Sequence, residues 1–518
     1  MIKMSEEKKT ASVNRAKAYQ LVLFPMNNGA TNVYYILTMN FIAYYANGVL
    51  GLALMFATTM VTVMRLFDAV TDPIIGALID RTSTKFGKFR PYMVLGNVIM
   101  IVSSLLLYFG ARIVPDGMMW LRYVCFVLFY ALYVIGYTFQ TACTRSGQTC
   151  LTNDPNQRPL FTIFNTVASL IGMGLVQFLA PILGEKLGGY NSAAFFDVLI
   201  PLAIVVSALL TVLAVIGIWE KDRPEFFGVG GRQEKVPLRE YVAILKANKE
   251  LQRLMVAGAG CKLAFSIATN MTVLCMLYGA MMNNYSGLYL PMMILGYVFS
   301  VPFFLLTVRT SQKHGQKASL VRYTALALVM YVGVLVLLLF WKQGNPAFNL
   351  SLTPINIYSI LFIIFFGVGY GAYYATADMP IPMVADCSDY ETYRSGRYIP
   401  GIMGTLFSLV DKLVSSLGST IVGAAVAMIG IHTLPDGNTP YAEGMHGVVI
   451  VLFCIVPMLA WIATLIAMKG YSLTGARMKE IQAVNAVRKD GISKGMTLEE
   501  SMETWKDIED VPEEFRQK

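Results

Sequence analysis

Charge is scarce in this chain. Of its 518 residues only 14% are Asp, Glu, Lys or Arg, against 56% hydrophobic residues, and the mean hydropathy is +0.56. A water-facing surface on a chain of this length carries about 25% charge, so a soluble globular protein is excluded. Sustained alternation of apolar and polar residues is also missing, which argues against a transmembrane barrel. Only three histidines occur, His314, His432 and His446. All lie in or beside segments that read as loops, so neither a metal site nor a histidine proton relay is expected. The seven cysteines (Cys125, Cys143, Cys150, Cys261, Cys275, Cys387 and Cys454) fall mostly inside apolar runs and have no metal-ligand spacing. They read as small packing residues, not as a disulfide framework. No G-x-x-x-x-G-K-[ST] loop is present to cradle ATP phosphates, and no nucleophile or metal cluster points to an enzyme. The polar, basic N-terminus MIKMSEEKKTASVNRAK is not followed by a short apolar stretch with a small-residue cleavage site. The first apolar segment is therefore expected to be a mature helix.

What the chain has in abundance is apolar runs of about 20 residues, each long enough to cross a bilayer as a helix. Twelve spans are predicted, at 19–46, 49–80, 91–113, 119–150, 160–184, 194–219, 252–282, 286–309, 319–341, 354–384, 399–431 and 447–469. The fold class is thus an all-α membrane protein. Lys and Arg gather in the loop 81–90, in the stretch 220–250 and after span eight. By the positive-inside rule these and both termini are cytoplasmic. The same bias accounts for the net charge of +9 without nucleic acid. The polar stretch 220–250 separates two six-helix halves, 19–219 and 251–469, flanked by cytoplasmic tails 1–18 and 470–518. A repeat supports the division: RTSTKFGK at 81–88 follows span two, and RTSQKHGQ at 309–316 follows span eight. Two similar halves enclosing a midplane site is a common plan for secondary transporters. The last tail reads as solvated, with Thr497 and Glu500 forming a capping box before a short helix.

Ionisable residues inside the spans cost at least about 2.5 kcal/mol each on insertion scales, so they mark function. Arg65, Asp68 and Asp72 in span two stand at i, i+3 and i+7, on one helix face. One Arg cannot neutralise two carboxylates, so the surplus negative charge calls for a cation, either a metal ion held by oxygens or a proton. Asp80 is expected to order the adjacent basic loop. Span eleven carries Asp411 and Lys412 near its centre. Lys412 is a candidate for coupling or solute binding, against a salt bridge with Asp411 or another helix. Span four is polar around Arg145, with Thr138, Gln140, Thr141, Thr144, Ser146, Gln148 and Thr149, and reads as the lining of a wet cavity. Arg145 either binds an anionic group of a solute or pairs with Asp378. Lys262 and Asp197 lie nearer predicted span ends and read as snorkelling or packing residues.

The segment RLFDAVTDPIIGALIDRTSTKFGKFRP, with PMVADCSDYETYRSGR at 382–397 and LTNDPNQR at 151–158, resembles the glycoside–pentoside–hexuronide:cation symporters of the major facilitator superfamily. The likeness extends over residues 20–470. It implies the major facilitator fold and alternating access. It also implies that Asp68 and Asp72 bind the coupling cation, sodium or proton, with help from Thr138. Thr71 offers a further neutral oxygen. Lys412 matches a lysine that links the cation and sugar sites, with Arg65 as a second coupling residue. Solute-binding positions of the family fall on Thr31 or Asn32, Thr141, Arg145 and Asn165. Here two acidic positions are lost and an arginine gained, which favours a sugar acid over a neutral sugar; Asp378 joins the candidates as a charged neighbour. The resemblance implies no cofactor beyond the coupling ion, a small-molecule solute and the lipid bilayer as partners, and no nucleic acid. A monomer in a bacterial cytoplasmic membrane is the expectation. Alternatives are a facilitator-fold symporter of an amphiphile such as a lysolipid, for which the 30 methionines would supply an adaptable path, and a solute sensor that does not transport.

Overall fold

The computed structural model describes residues 15–81, 84–151, 157–223, 238–397 and 399–516. Asp80 and Arg81, expected to form part of the loop network, have side chains outside the described set, as do most residues of LTNDPNQR and of the central stretch 220–250. The chain divides into two compact units, residues 1–232 and 233–518. The described residues are almost entirely helical.

In the first unit the principal helices are α1 (Met26–Ile36), α2 (Leu54–Arg81), α3 (Arg90–Tyr108), α4 (Met119–Leu151), α5 (Gln157–Lys186) and α6 (Ala193–Ile218). In the second they are α7 (Lys249–Ala268), α8 (Tyr285–His314), α9 (Gln316–Phe340), α10 (Ile357–Thr376), α11 (Pro380–Ser395), α12 (Pro400–Met428), α13 (Val456–Gly470) and α14 (Gly475–Ser493). Among the described residues, ten helical segments are long and apolar enough to cross a membrane, or eleven if the bent pair Lys249–Ala268 and Met271–Met281 counts as one. The remaining predicted span, 19–46, is helical from Ala18 to Val49 apart from a turn at Phe24–Pro25. It is interrupted by π-helical segments at Leu37–Phe41 and Tyr45–Val49, so it does not form one long regular helix. Such widened turns occur often at functional sites.

Two segments expected as loops are helical. The basic sequence after span eight continues α8 to His314, and the stretch 382–397 lies largely in α11. Its polar residues conceal good helix geometry: Pro380 sits in the first turn, where its missing N–H costs nothing, and Gly396 closes the end with φ +71°, a left-handed cap.

Close helix packing positions the polar span four. A Cβ on Gly96 of α3 would stand 2.9 Å from the carbonyl oxygen of Gly136 on α4, and one on Gly136 would stand 2.8 Å from that of Gly96. Small residues let backbones approach this closely where lipid supplies no hydrophobic drive between helices. Beside that crossing Gln140 donates through Nε2 to the Met93 carbonyl at 2.7 Å, which fixes the rotation of α4 against α3.

The cysteines are free and six of the seven are buried. The tail, expected as a solvated segment, folds back on its own unit. Asn485 donates to the Asp389 carbonyl at 2.9 Å, Arg488 to the Tyr393 carbonyl at 2.6 Å, and the Tyr393 hydroxyl to Asp507 at 2.7 Å. Ala483, Val484, Val487 and Val511 form a small core beneath it. The capping box of Thr497 and Glu500 is present.

Candidate functional site

α2 runs for 28 residues through Pro73 without a break. Pro73 removes the N–H that would bond the Ala69 carbonyl one turn back. The face carrying Arg65, Asp68 and Asp72 meets α4. Asp68 is buried, with 1% of its surface exposed. Its Oδ2 accepts from Arg65 Nη1 at 3.2 Å and its Oδ1 from Thr138 Oγ1 at 2.9 Å. Thr71 Oγ1 lies 3.1 Å from Thr138 Oγ1. One carboxylate and two hydroxyls thus converge between two helices.

Each hydroxyl has a second place for its single hydrogen. Thr71 Oγ1 can donate to the Asp68 carbonyl at 3.1 Å, and Thr138 Oγ1 to the Val134 carbonyl at 2.9 Å. With the hydrogens so placed, both oxygens turn lone pairs toward the space beside Asp68, as a hard cation requires. An interhelical hydrogen bond in a membrane stabilises by only about 1–2 kcal/mol, less than the insertion cost of a carboxylate. Stability alone therefore does not account for Asp68.

Along α4 the residues Thr138, Thr141 and Arg145 repeat the i, i+3, i+7 spacing of the α2 face. Arg145 Nη1 stands 3.7 Å from Asp72 Oδ2, with the arginine side chain 64% and the carboxylate 23% exposed. That distance exceeds a hydrogen bond and leaves the guanidinium open to a second anion. Asp378, the other charged candidate, bonds Lys262 of its own unit at 2.5 Å. Lys262, expected as a snorkelling or packing residue, lies within α7 with its side chain 19% exposed. Asp197 pairs with Arg112 at 2.5 Å.

The remaining candidates separate. Thr31 is buried and donates to the Asn27 carbonyl at 2.7 Å, whereas Asn32 is half-buried and its Nδ2 donates to the Asn28 carbonyl at 2.8 Å. Asn28 in turn donates to the Asn165 carbonyl at 3.2 Å, so Asn32, Asn28 and Asn165 form one polar group that sequence reading saw only in part. Thr141 donates back to its own helix, to the Thr138 carbonyl at 3.1 Å. Behind Arg65, whose guanidinium lies 5.5 Å from the Tyr35 ring centre, is a cavity of about 20 Å³ lined by Thr38, Asp68, Tyr130 and Tyr133 among others. It has room for a single water. In the second unit Lys412 is buried, and its carbonyl accepts from Ser415 at 3.1 Å. Asp411 lies 3.9 Å from Lys262.

A residue that sequence reading missed organises the loop after span two. Asp222 is fully buried and accepts from the backbone N–H groups of Lys88, Phe89 and Arg90 at 2.8–3.1 Å. It is a carboxylate cap on the start of α3, supplied by the end of the α6 region. Its position just past an apolar span was the available signal.

Residues 24–475 match the family model described as MFS/sugar transport protein. Among curated relatives, the putative glycoside/cation symporter YagG of Escherichia coli K12 is 25% identical, the match covering 86% of this chain and 89% of the relative. The inner membrane symporter YicJ of the same organism is 25% identical, covering 88% and 92%. Its glucuronide carrier protein homolog is 23% identical, covering 89% and 94%. Among solved structures, a bacterial homologue of the human drug peptide transporters PepT1 and PepT2 aligns with a TM-score of 0.58 at 14% identity, covering 89% of this chain and all of that one. A bacterial homologue of the human lysosomal transporter Spinster aligns at 0.56 and 13%, covering 88% and 97%. These structural likenesses show the fold.

Proposed function

Because the chain belongs to the MFS/sugar transport protein family, and is a multi-pass membrane symporter of the major facilitator fold and not an enzyme, we propose that it uses a cation gradient to move a sugar acid or other anionic glycoside by alternating access. The observation that carries this reading is the convergence of Asp68, Thr138 and Thr71. Asp72, one turn along the same face, supplies the second carboxylate. Two hydroxyls with alternative acceptors for their hydrogens favour sodium, since a proton needs only the carboxylate. A cation at Asp68 competes with Arg65 for Oδ2, so ion binding loosens the guanidinium and alters the face that the solute meets.

Arg145 is the proposed partner of the solute's carboxylate, which a guanidinium grips bidentately. The glucuronide carrier homolog among the relatives agrees with an acidic solute, while the isoprimeverose transporter of Lactiplantibacillus pentosus, 21% identical, marks the neutral alternative. Asn32, Asn165 and Thr141 are the proposed hydroxyl contacts in the first unit. Lys412 is the proposed link by which solute affinity comes to depend on the ion; the reverse dependence follows by the same factor. The setting proposed is a bacterial cytoplasmic membrane with both termini inside.

The test is uptake into proteoliposomes of methyl β-D-glucuronide, methyl β-D-glucoside and isoprimeverose under separate sodium and proton gradients. Sodium-driven uptake of the glucuronide is expected. Arg145→Gln should weaken the glucuronide by about tenfold or more, the equivalent of one charge-assisted hydrogen bond, and leave the glucoside within about twofold. Equal losses for both would remove the acidic-solute assignment and return Arg145 to a partner of Asp72. A wild type that takes up none of the three under either gradient contradicts the sugar reading.

A further inference from the structure

A second charged network lies in the C-terminal unit. Lys262 on α7 places Nζ 2.5 Å from Asp378 Oδ1 and 3.9 Å from Asp411 Oδ1. Three elements therefore meet at one ammonium: α7, the turn between α10 and α11, and α12. The side chains differ sharply in exposure, 19% for Lys262, 26% for Asp411 and 72% for Asp378. The lysine is held inside the group while one carboxylate opens outward.

Asp378 stands where a long helix lapses. α10 and α11 together make a candidate span of 39 residues, Ile357–Ser395, and residues 377–379 interrupt it near its middle. The cause is local. Pro380 and Pro382 lack the N–H groups that would bond the carbonyls of Thr376 and Asp378 one turn back. Those carbonyls instead accept from Met379 at 3.2 Å and Ile381 at 3.1 Å, tightening the chain into a turn. Irregular backbone within a membrane is tolerated only where protein buries it or where it lines a water-filled cavity. An outward carboxylate at such a turn does not belong against lipid. Aromatic rings adjoin the network: Phe265, on the same helix as Lys262, meets Tyr374 edge-on at 5.4 Å, and Tyr374 stacks on Tyr370 at 5.5 Å. A carboxylate beside aromatic rings suits a carbohydrate, with its C–H face on a ring and its hydroxyls on the oxygens.

We propose that Asp378 is a solute contact of the C-terminal half, accepting hydroxyl hydrogens of a carbohydrate, and that Lys262 is the positioning residue that fixes its carboxylate. Lys262 engages Oδ1, which leaves Oδ2 for the solute. Two carboxylates to one ammonium disfavour an anionic group here and favour hydroxyl donors. Asp411 gives the ammonium a second partner, so Asp378 is oriented without being fully neutralised. The proposal rests on the sugar-transport reading above.

The test uses full-length protein in detergent and in proteoliposomes. The three sugars named above are screened by thermal shift, and the one bound best is compared with its monodeoxy analogues. Asp378→Asn should raise KM about tenfold, leave the dependence on the ion unchanged, and flatten the discrimination against at least one deoxy analogue. Lys262→Met should flatten the same discrimination, and Lys262→Arg should restore it. If Lys262→Met lowers Tm while the deoxy discrimination of both variants stays at the wild-type value, the network is structural and the proposal is overturned. A wild type that binds none of the sugars overturns the sugar reading, and this subsite with it. A wild type with ion-dependent uptake whose Asp378→Asn variant still discriminates normally overturns the subsite alone.

Discussion

Arg65 and Lys262 are mostly buried basic residues, one in each unit, and each lies within hydrogen-bonding range of an aspartate. Their surroundings differ. Arg65 pairs with Asp68 three residues away on the same helix, and the buried carboxylate also accepts from Thr138. Lys262 ties together carboxylates from two other elements, and its closest partner, Asp378, is the most exposed member of the group. A dehydrated carboxylate among hydroxyls suits an ion that arrives without its water. An outward carboxylate steadied from behind suits a solute that brings hydroxyl groups. On the proposals above, the first network takes the ion and the second adds a hydroxyl-recognising carboxylate from the other half, a contrast that can be broken by exchanging the perturbations.

The largest contrast should come from neutralising one carboxylate in each network. Asp68→Asn removes the charge that the cation needs, and gradient-driven uptake should fall by about 100-fold or more, in line with the loss of a buried charged interaction of about 3 kcal/mol. Ion-independent exchange should survive. Asp411→Asn should keep concentrative uptake and change mainly KM. Concentrative uptake that survives in both Asp68→Asn and Asp72→Asn would falsify the placement of the ion in the first half.

A smaller effect is expected at Lys412, which is buried in α12 beside the second network. Lys412→Ala should leave solute binding measurable and reduce its enhancement by the ion from about tenfold to near unity, a coupling of about 1.4 kcal/mol within the usual range. Isothermal titration of the solute with and without sodium reads this directly. If the enhancement persists, the link between the two networks runs elsewhere.

The first network was legible in the sequence because its charges stand out against apolar neighbours at helical spacing, and the resemblance supplied Thr138 from a distant segment. The second was not. Lys262 and Asp378 lie 116 residues apart, and no periodicity within one helix relates them. α11 was hidden as well: Asp386, Asp389, Glu391 and Arg394 give it a loop's composition, while its proline start and glycine stop are those of a helix. The folded tail was missed because its small core, Val484, Val487 and Val511 with Ala483, is too sparse to register as an apolar run. The expectation of twelve spans rests on hydropathy; the π-helical segments in the first span and the bend in the seventh arise from backbone packing that hydropathy does not encode.

The smallest effect on transport, and the sharpest on the internal repeat, is expected at its two glycines. Gly87 and Gly315 occupy the same place in RTSTKFGK and in RTSQKHGQ extended by the motif, and both have positive φ, +102° and +86°. A side chain at either position is strained by about 1–3 kcal/mol. Beyond that shared cost the two differ. A Cβ on Gly87 would stand within van der Waals overlap of the Asp222 carboxylate, whereas one on Gly315 meets nothing nearer than the Gly475 nitrogen at 3.4 Å. Asp222 would have to withdraw from the three N–H groups that begin α3, leaving buried donors unsatisfied at a further cost of about 1–3 kcal/mol. Gly87→Ala should therefore lower Tm in detergent by more than Gly315→Ala, with ion-dependent uptake of the surviving protein unchanged in both. The excess should vanish in an Asp222→Ala background, where no carboxylate is left to displace. Equal losses of Tm in the wild-type background would mean that the repeat conserves only a turn, and that Asp222 contributes nothing to the first half that the second lacks.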